Sequence, residues 1–172
     1  MMTTVAAPCS RLAIRRFASQ IRQRSGLDET VYFPVMPFLE QTLVKIDPQF
    51  TLEVCDMHEM GSCHGLTTPS EHKIKLREDI YDGACNGRGR DRFTVAHEIG
   101  HYFMHQPRSV SFARTGTGKT QVFCDPEWQA DAFAGELLIP AHLMRGKRVE
   151  EIAQACGVST AAARVQQKII NR

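Results

Sequence analysis

The segment His97-Glu98-Ile99-Gly100-His101 constrains this chain more than any other. It lies within residues 92–104, a proline-free run with apolar side chains on more than one side, the pattern of a largely buried helix. On a helix, positions 97 and 101 stand one turn apart on the same face, so two imidazoles can grip one ion. Glu98 lies beside them, placed to act as a general base without ligating. The spacing H-E-x-x-H therefore matches two zinc ligands and a base, although the same three letters on a solvated helix would bind nothing.

A site of this kind needs a third protein ligand, and residues 126–140 are the place to look. Pro126 suits the first turn of a helix and Pro140 ends it. At about 100° per residue, Ala130, Phe133, Ala134, Leu137 and Leu138 form an apolar arc. Glu127 and Asp131, four apart, fall on the edge of that arc, and Glu136 falls on the opposite side. Carboxylates against an apolar face are costly unless a cation neutralises them. Glu127 is thus the expected third ligand. Asp131 is the expected acceptor for an N–H of His97 or His101, fixing the ring's tautomer. The alternative is a Glu favoured by the helix dipole and an Asp paired to an arginine. His105 follows His101 by one turn without an intervening glycine turn, so it is expected to pack or hydrogen-bond nearby. His64 either points into the cleft or stays solvated.

With 172 residues the chain suits one domain with a small appendage, and a net charge of +2 does not make nucleic acid or membrane its main partner. No apolar run reaches membrane-spanning length. Six scattered cysteines without a C-x-x-C pair fit reduced thiols in a cytoplasm. The start is rich in arginine and lacks acid before Asp28, which imitates a transit peptide. Yet Ser10 can cap a helix striped by Ile14, Phe17, Ala18 and Ile21, which reads as a docked helix with a solvated basic face.

Further on, Pro37 opens a second helix striped by Met36, Leu39, Leu43 and Ile46 and stopped at Asp47-Pro48. Residues 50–55 alternate as a half-buried strand, 57–64 form a polar loop, and 65–77 form a hairpin turning at Pro69-Ser70. The fold class expected is α+β. A small antiparallel sheet of about three strands packs on the His97 helix and the Glu127 helix, with a helical N-terminus. Residues 83–90 read as a mobile glycine-rich loop, and 107–120 as a polar loop beside the cleft. Its run 114–120 resembles a phosphate-binding loop but has Ala113 where the first glycine belongs.

Residues 92–105 (RFTVAHEIGHYFMH) and 127–140 (EWQADAFAGELLIP) together resemble the ImmA/IrrE family of zinc metallo-endopeptidases. The likeness runs from about His72 to Pro140 and continues weakly to the end. It implies a gluzincin-like fold with one Zn²⁺ per chain on His97, His101 and Glu127, and Glu98 as catalytic residue. The family often has asparagine where this chain has Asp131, and either side chain can accept a hydrogen bond from histidine. Members commonly inactivate a helix-turn-helix repressor or antitoxin, in stress responses or toxin–antitoxin pairs, in the cytoplasm. The resemblance therefore implies a protein substrate of that class, with no membrane partner.

Residues 149–164 read as helix, glycine turn, helix. A DNA reader needs basic or amide side chains at the start of its second helix, and Ser159-Thr-Ala-Ala-Ala163 supplies almost none. The expected organisation is a peptidase domain over 1–145 and a helix-turn-helix-like segment over 146–172 packed on it. Two rival functions stay open: a zinc-containing toxin or regulator that acts only by binding a partner protein, and a DNA-binding regulator.

Overall fold

The computed structural model describes residues 3–106, 110–113 and 121–171, of which 3–5 and 110–113 by backbone alone. Its core forms where helix α6 (Gly89–Met104) lies against helix α7 (Pro126–Leu138). Val95, Ala96 and Ile99 of α6 and Phe133, Ala134 and Leu137 of α7 are fully buried. The approach is close because Gly100 has no side chain. A Cβ there would stand 3.0 Å from Phe133 Cδ1 and 3.2 Å from the Ala130 backbone. Pro126 occupies the first turn of α7, and Asp125 caps it by accepting from the Glu127 N–H.

Helix α1 (Arg11–Arg24) packs on α7, capped by Ser10 and burying Ile14, Ala18 and Ile21 as its stripe requires. Its basic face is not simply solvated, however. Arg22 is fully buried and donates to the Leu137 and Thr30 carbonyls. Arg11 and Arg15 each meet Glu136 at 2.9 Å. The expected division of α7 is therefore reversed: Glu136 is buried, whereas Glu127 and Asp131 are exposed. The helical wheel placed the angles correctly, but α1 brings its own cations to the face assigned to solvent.

The next helix is continuous over 35–46, as α2 (Val35–Pro37), a π turn (Phe38–Thr42) and α3 (Leu43–Ile46). Strands β2 (Thr51–Cys55), β3 (Gly65–Thr68) and β4 (Lys73–Arg77) form one sheet in the order β2-β4-β3. The β3–β4 hairpin is antiparallel, but β2 pairs with β4 in parallel, so the sheet is mixed rather than antiparallel. Residues 56–64, including the single turn α4 (Met57–Met60), are long enough to carry the chain across to the free side of β4. Ile74 and Leu76 of β4 face the core, while Lys75 pairs outward with Glu53 and Glu59.

Two expected loops hold structure instead. Helix α5 (Glu78–Cys85) buries Ile80 and Ala84, and Gly83 within it and Gly89 after it are packing positions, not hinges. A Cβ on Gly83 would overlap Asp91 Oδ2, and one on Gly89 would stand 2.6 Å from the Val158 carbonyl carbon. Strand β5 (Val110–Ala113) pairs antiparallel with β1 (Thr3–Ala6). The run 114–120 lies outside the described residues. At the C-terminal end, α8 (Ala141–Met144), α9 (Val149–Cys156) and α10 (Thr160–Ile170) close the other side, with Gly157 turning the chain at φ +62°. Arg92 of α6 ties this end to the core by donating to the Gly157, Cys156 and Phe33 carbonyls. The six cysteines are free, and no described helix is long and apolar enough to cross a membrane.

Candidate metal centre

Helix α6 presents His97 and His101 on one face, and the first turn of α7 brings Glu127 to them. His97 Nε2 and His101 Nε2 stand 2.9 Å apart, with a Glu127 oxygen 3.3 Å from each. Ligands held about 2.0–2.1 Å from a tetrahedral ion are themselves roughly 3.3 Å apart. The two nitrogens and the Glu127 carboxylate, with Oε2 toward His97 and Oε1 toward His101, therefore outline one face of such a tetrahedron. Glu127 is open to solvent, so burial against an apolar face is not what marks it; the convergence of its oxygens on the two rings is.

The chemistry of the donor set shows whether a cation fits. His97 Nδ1 stands 2.8 Å from Asp131 Oδ1, which places the ring proton on Nδ1 and leaves Nε2 a lone pair. His101 is set by a longer chain. Gln129 donates from Nε2 to the Ala7 and Phe123 carbonyls, so its oxygen faces His105 Nε2, 3.0 Å away. His105 must donate there, which leaves its Nδ1 to accept from His101 Nδ1 at 2.8 Å. His101 Nε2 is then also a lone pair. Two lone pairs and a carboxylate meeting at about 3 Å repel one another unless positive charge sits between them.

The acid–base behaviour agrees. Burial, then the charges of His97 and His105, pull His101 down to about 3, and burial lowers His105 as well. For His97, burial is the largest influence and acts downward. The Asp131 hydrogen bond and the charges of Glu98, Asp131 and Glu127 outweigh it, so the net direction is up. His101 and His105 are thus held neutral, while the carboxylates around His97 favour positive charge there, and the residues present fit a divalent cation.

Glu98 lies on the inner wall, 7% exposed. Its Oε2 accepts from Thr67 Oγ1 at 2.6 Å. Strand β3 comes this close because residue 65 is glycine; a Cβ there would stand 2.7 Å from Glu98 Cγ and Oε1. Burial raises the Glu98 carboxyl above its ordinary range, and the Thr67 bond and the charge of His97 oppose that. The cleft over the site, about 250 Å³, is bordered by His64, Phe93, Thr94 and Asp131.

Residues 55–166 match the IrrE N-terminal-like domain of the peptidase M78 family. The chain belongs to this family. No curated protein matches it. Family membership makes it a metallopeptidase-type protein, and His97, His101 and Glu127 form a group able to hold a metal. In this M78 domain Gly65, Thr67 and Gln129 escaped sequence reasoning. Gln129 alone left a signal, as an amide beside an otherwise apolar arc. Tyr81, Tyr102, His105 and Arg92, the other donors near the site, are committed to Glu40, Asp47, Gln129 and backbone carbonyls.

Proposed function

We infer that this M78 protein is a zinc-dependent endopeptidase that cuts a specific protein target, a helix-turn-helix repressor or antitoxin. The observation that carries the reading is the meeting of two lone-pair imidazole nitrogens and one carboxylate beside a buried glutamate. His97, His101 and Glu127 would hold the ion, and Asp131 would orient His97. A bound zinc supplies Lewis acidity toward a carbonyl and acidifies water. Glu98 takes a proton from the attacking water as its oxygen adds to the scissile carbonyl carbon, and gives it to the amine nitrogen as the C–N bond breaks. Thr67 and Gly65 fix where that carboxylate sits. His64 is a cleft-lining side chain able to donate to the developing oxyanion.

Strand β4 is central in its sheet and has no free edge to which an extended substrate could add. Strand β3, which touches Glu98, has its outer edge unpaired among the described residues and is the place for such addition.

Glu98→Gln tests the reading against a structural-zinc binding module. With a helix-turn-helix protein encoded beside this chain as substrate, the variant should keep zinc and fold and lose cleavage. Full biological activity in that variant would leave the chain a binding protein. The start of α10 lines a groove of the protein rather than presenting base-reading groups, which weighs against the DNA-binding rival.

A further inference from the structure

The helix-turn-helix-like end has no part in the mechanism above, yet it builds a wall next to the cleft. A groove of about 620 Å³ runs between α7 and α10 and shares His64, Phe93, Thr94 and Asp131 with the cleft over the metal centre. The two spaces therefore adjoin along these side chains. Beyond the shared residues the groove is lined by the cations Arg11 and Arg90, by Trp128 of α7, and by Val165 and Ile169 of α10, four apart and on one face. Val165 is 60% exposed, a large apolar side chain left against solvent. Ala161 and Ala162, at the start of the helix where a DNA reader would carry amides and cations, leave the groove open.

One wall residue is also incomplete. Gln166 is 2% exposed; its Oε1 accepts from Arg11 at 2.6 Å, but its Nε2 is buried and has no partner among the described residues. A buried amide donor without an acceptor is costly. A peptide carbonyl lying along the groove could accept from it.

We propose that the α7–α10 groove is a substrate subsite that takes a large apolar side chain next to the scissile bond, with Trp128, Val165 and Ile169 selecting it and Gln166 receiving a substrate carbonyl. The proposal rests on the peptidase reading and names part of its substrate. It makes the tail a specificity element: a target is cut where an aliphatic or aromatic residue flanks the bond. The groove's size and apolar walls suit such a ligand.

The test uses the zinc-loaded full chain and three probes: acetohydroxamate, the same hydroxamate joined to leucine amide, and the same joined to aspartate amide. Trp128 is the single tryptophan and reports occupancy by its fluorescence. The leucine compound should bind about tenfold or more tighter than acetohydroxamate, the scale of burying one aliphatic side chain, and the aspartate compound should gain nothing. Val165→Glu, a change at an exposed position, should erase the leucine gain while zinc content stays at one per chain. Equal affinity for the leucine and aspartate compounds, or a leucine gain untouched by V165E, overturns the subsite. So does V165E splitting a dimer, which would mean that a second copy covers the groove. If acetohydroxamate fails to bind, the metal reading falls instead, and N-acetyl-leucinamide, which cannot chelate, still decides the groove through Trp128.

Discussion

His101 and His105, one turn apart on α6, face each other through their Nδ1 atoms at 2.8 Å, and Gln129 behind them settles which atom carries the proton. The amide's own bonds to Ala7 and Phe123 fix its orientation, so the tautomer of a candidate metal ligand is dictated from two backbone carbonyls, one in the N-terminal segment and one in the turn before α7. His105→Phe and Gln129→Leu should each weaken zinc binding about 10–100-fold with the helix intact, the usual range for partners of metal-bound histidines. Chelator competition gives the affinity, and nitrogen-15 shifts of His101 in the zinc-loaded protein give the tautomer. Were His105→Phe to bind zinc as tightly as the parent, with the same His101 shifts, the ring would be mere filling.

Gly65 and Glu98 set a second requirement. A methyl group at 65 would sit against the Glu98 side chain at 2.7 Å, and strand β3, paired to β4, cannot easily retreat. Gly65→Ala should leave zinc content unchanged and lower turnover about 100-fold, the scale of displacing a catalytic group by ~1 Å. Thr67→Val should act in the same direction by removing the 2.6 Å hydrogen bond. Normal turnover in Gly65→Ala would separate Glu98 from the chemistry.

What could be read from the sequence follows the range of the interactions. His97, Glu98 and His101 were legible because one helix sets their spacing, and Glu127 with Asp131 because a second helix repeats it. The stripe of α1 and the 65–77 hairpin were legible for the same local reason. The position of β2 was not, since its partner is chosen by a crossover and not by its own alternation. Glu136 was misplaced because its burial depends on arginines more than a hundred residues away in sequence. Helix α5 was hidden by glycines whose reason is close packing, a cause that leaves the same letters as a loop.

That misplaced carboxylate yields a stability prediction. Glu136 is 1% exposed at its side chain, while its partners Arg11 and Arg15 keep 25% and 27%. The cost of losing the network therefore falls on the glutamate, which would be stranded in the core. Arg11→Met with Arg15→Met should destabilise the chain by about 3–5 kcal/mol, and adding Glu136→Met should recover most of it. Urea midpoints at constant slope measure both. A triple variant no more stable than the double would place the cost elsewhere.

The end of α3 carries a device sensitive to acid. Asp47 Oδ2 accepts from Tyr102 Oη at 2.5 Å and from His72 Nδ1 at 2.6 Å, joining the helix end to α6 and to the hairpin turn. The Tyr102 bond first, then the His72 bond, hold the Asp47 carboxyl below its ordinary value. A carboxylate depressed in the folded state contributes stability above its unfolded value, about 3.9, and loses it as pH falls through the lower folded value. Tyr102 is raised by burial and by the same bond, so it contributes in the opposite window: its share is present below about pH 10 and fades as pH climbs through its folded value. Urea midpoints followed from pH 6 down should therefore fall less steeply below about pH 4 in Asp47→Asn than in the parent. Tyr102→Phe should flatten the acid limb in the same direction by removing the larger influence, and should also remove the alkaline one. An acid limb unchanged in both variants would mean that the bond forms equally in the unfolded chain, or that other carboxylates govern acid unfolding.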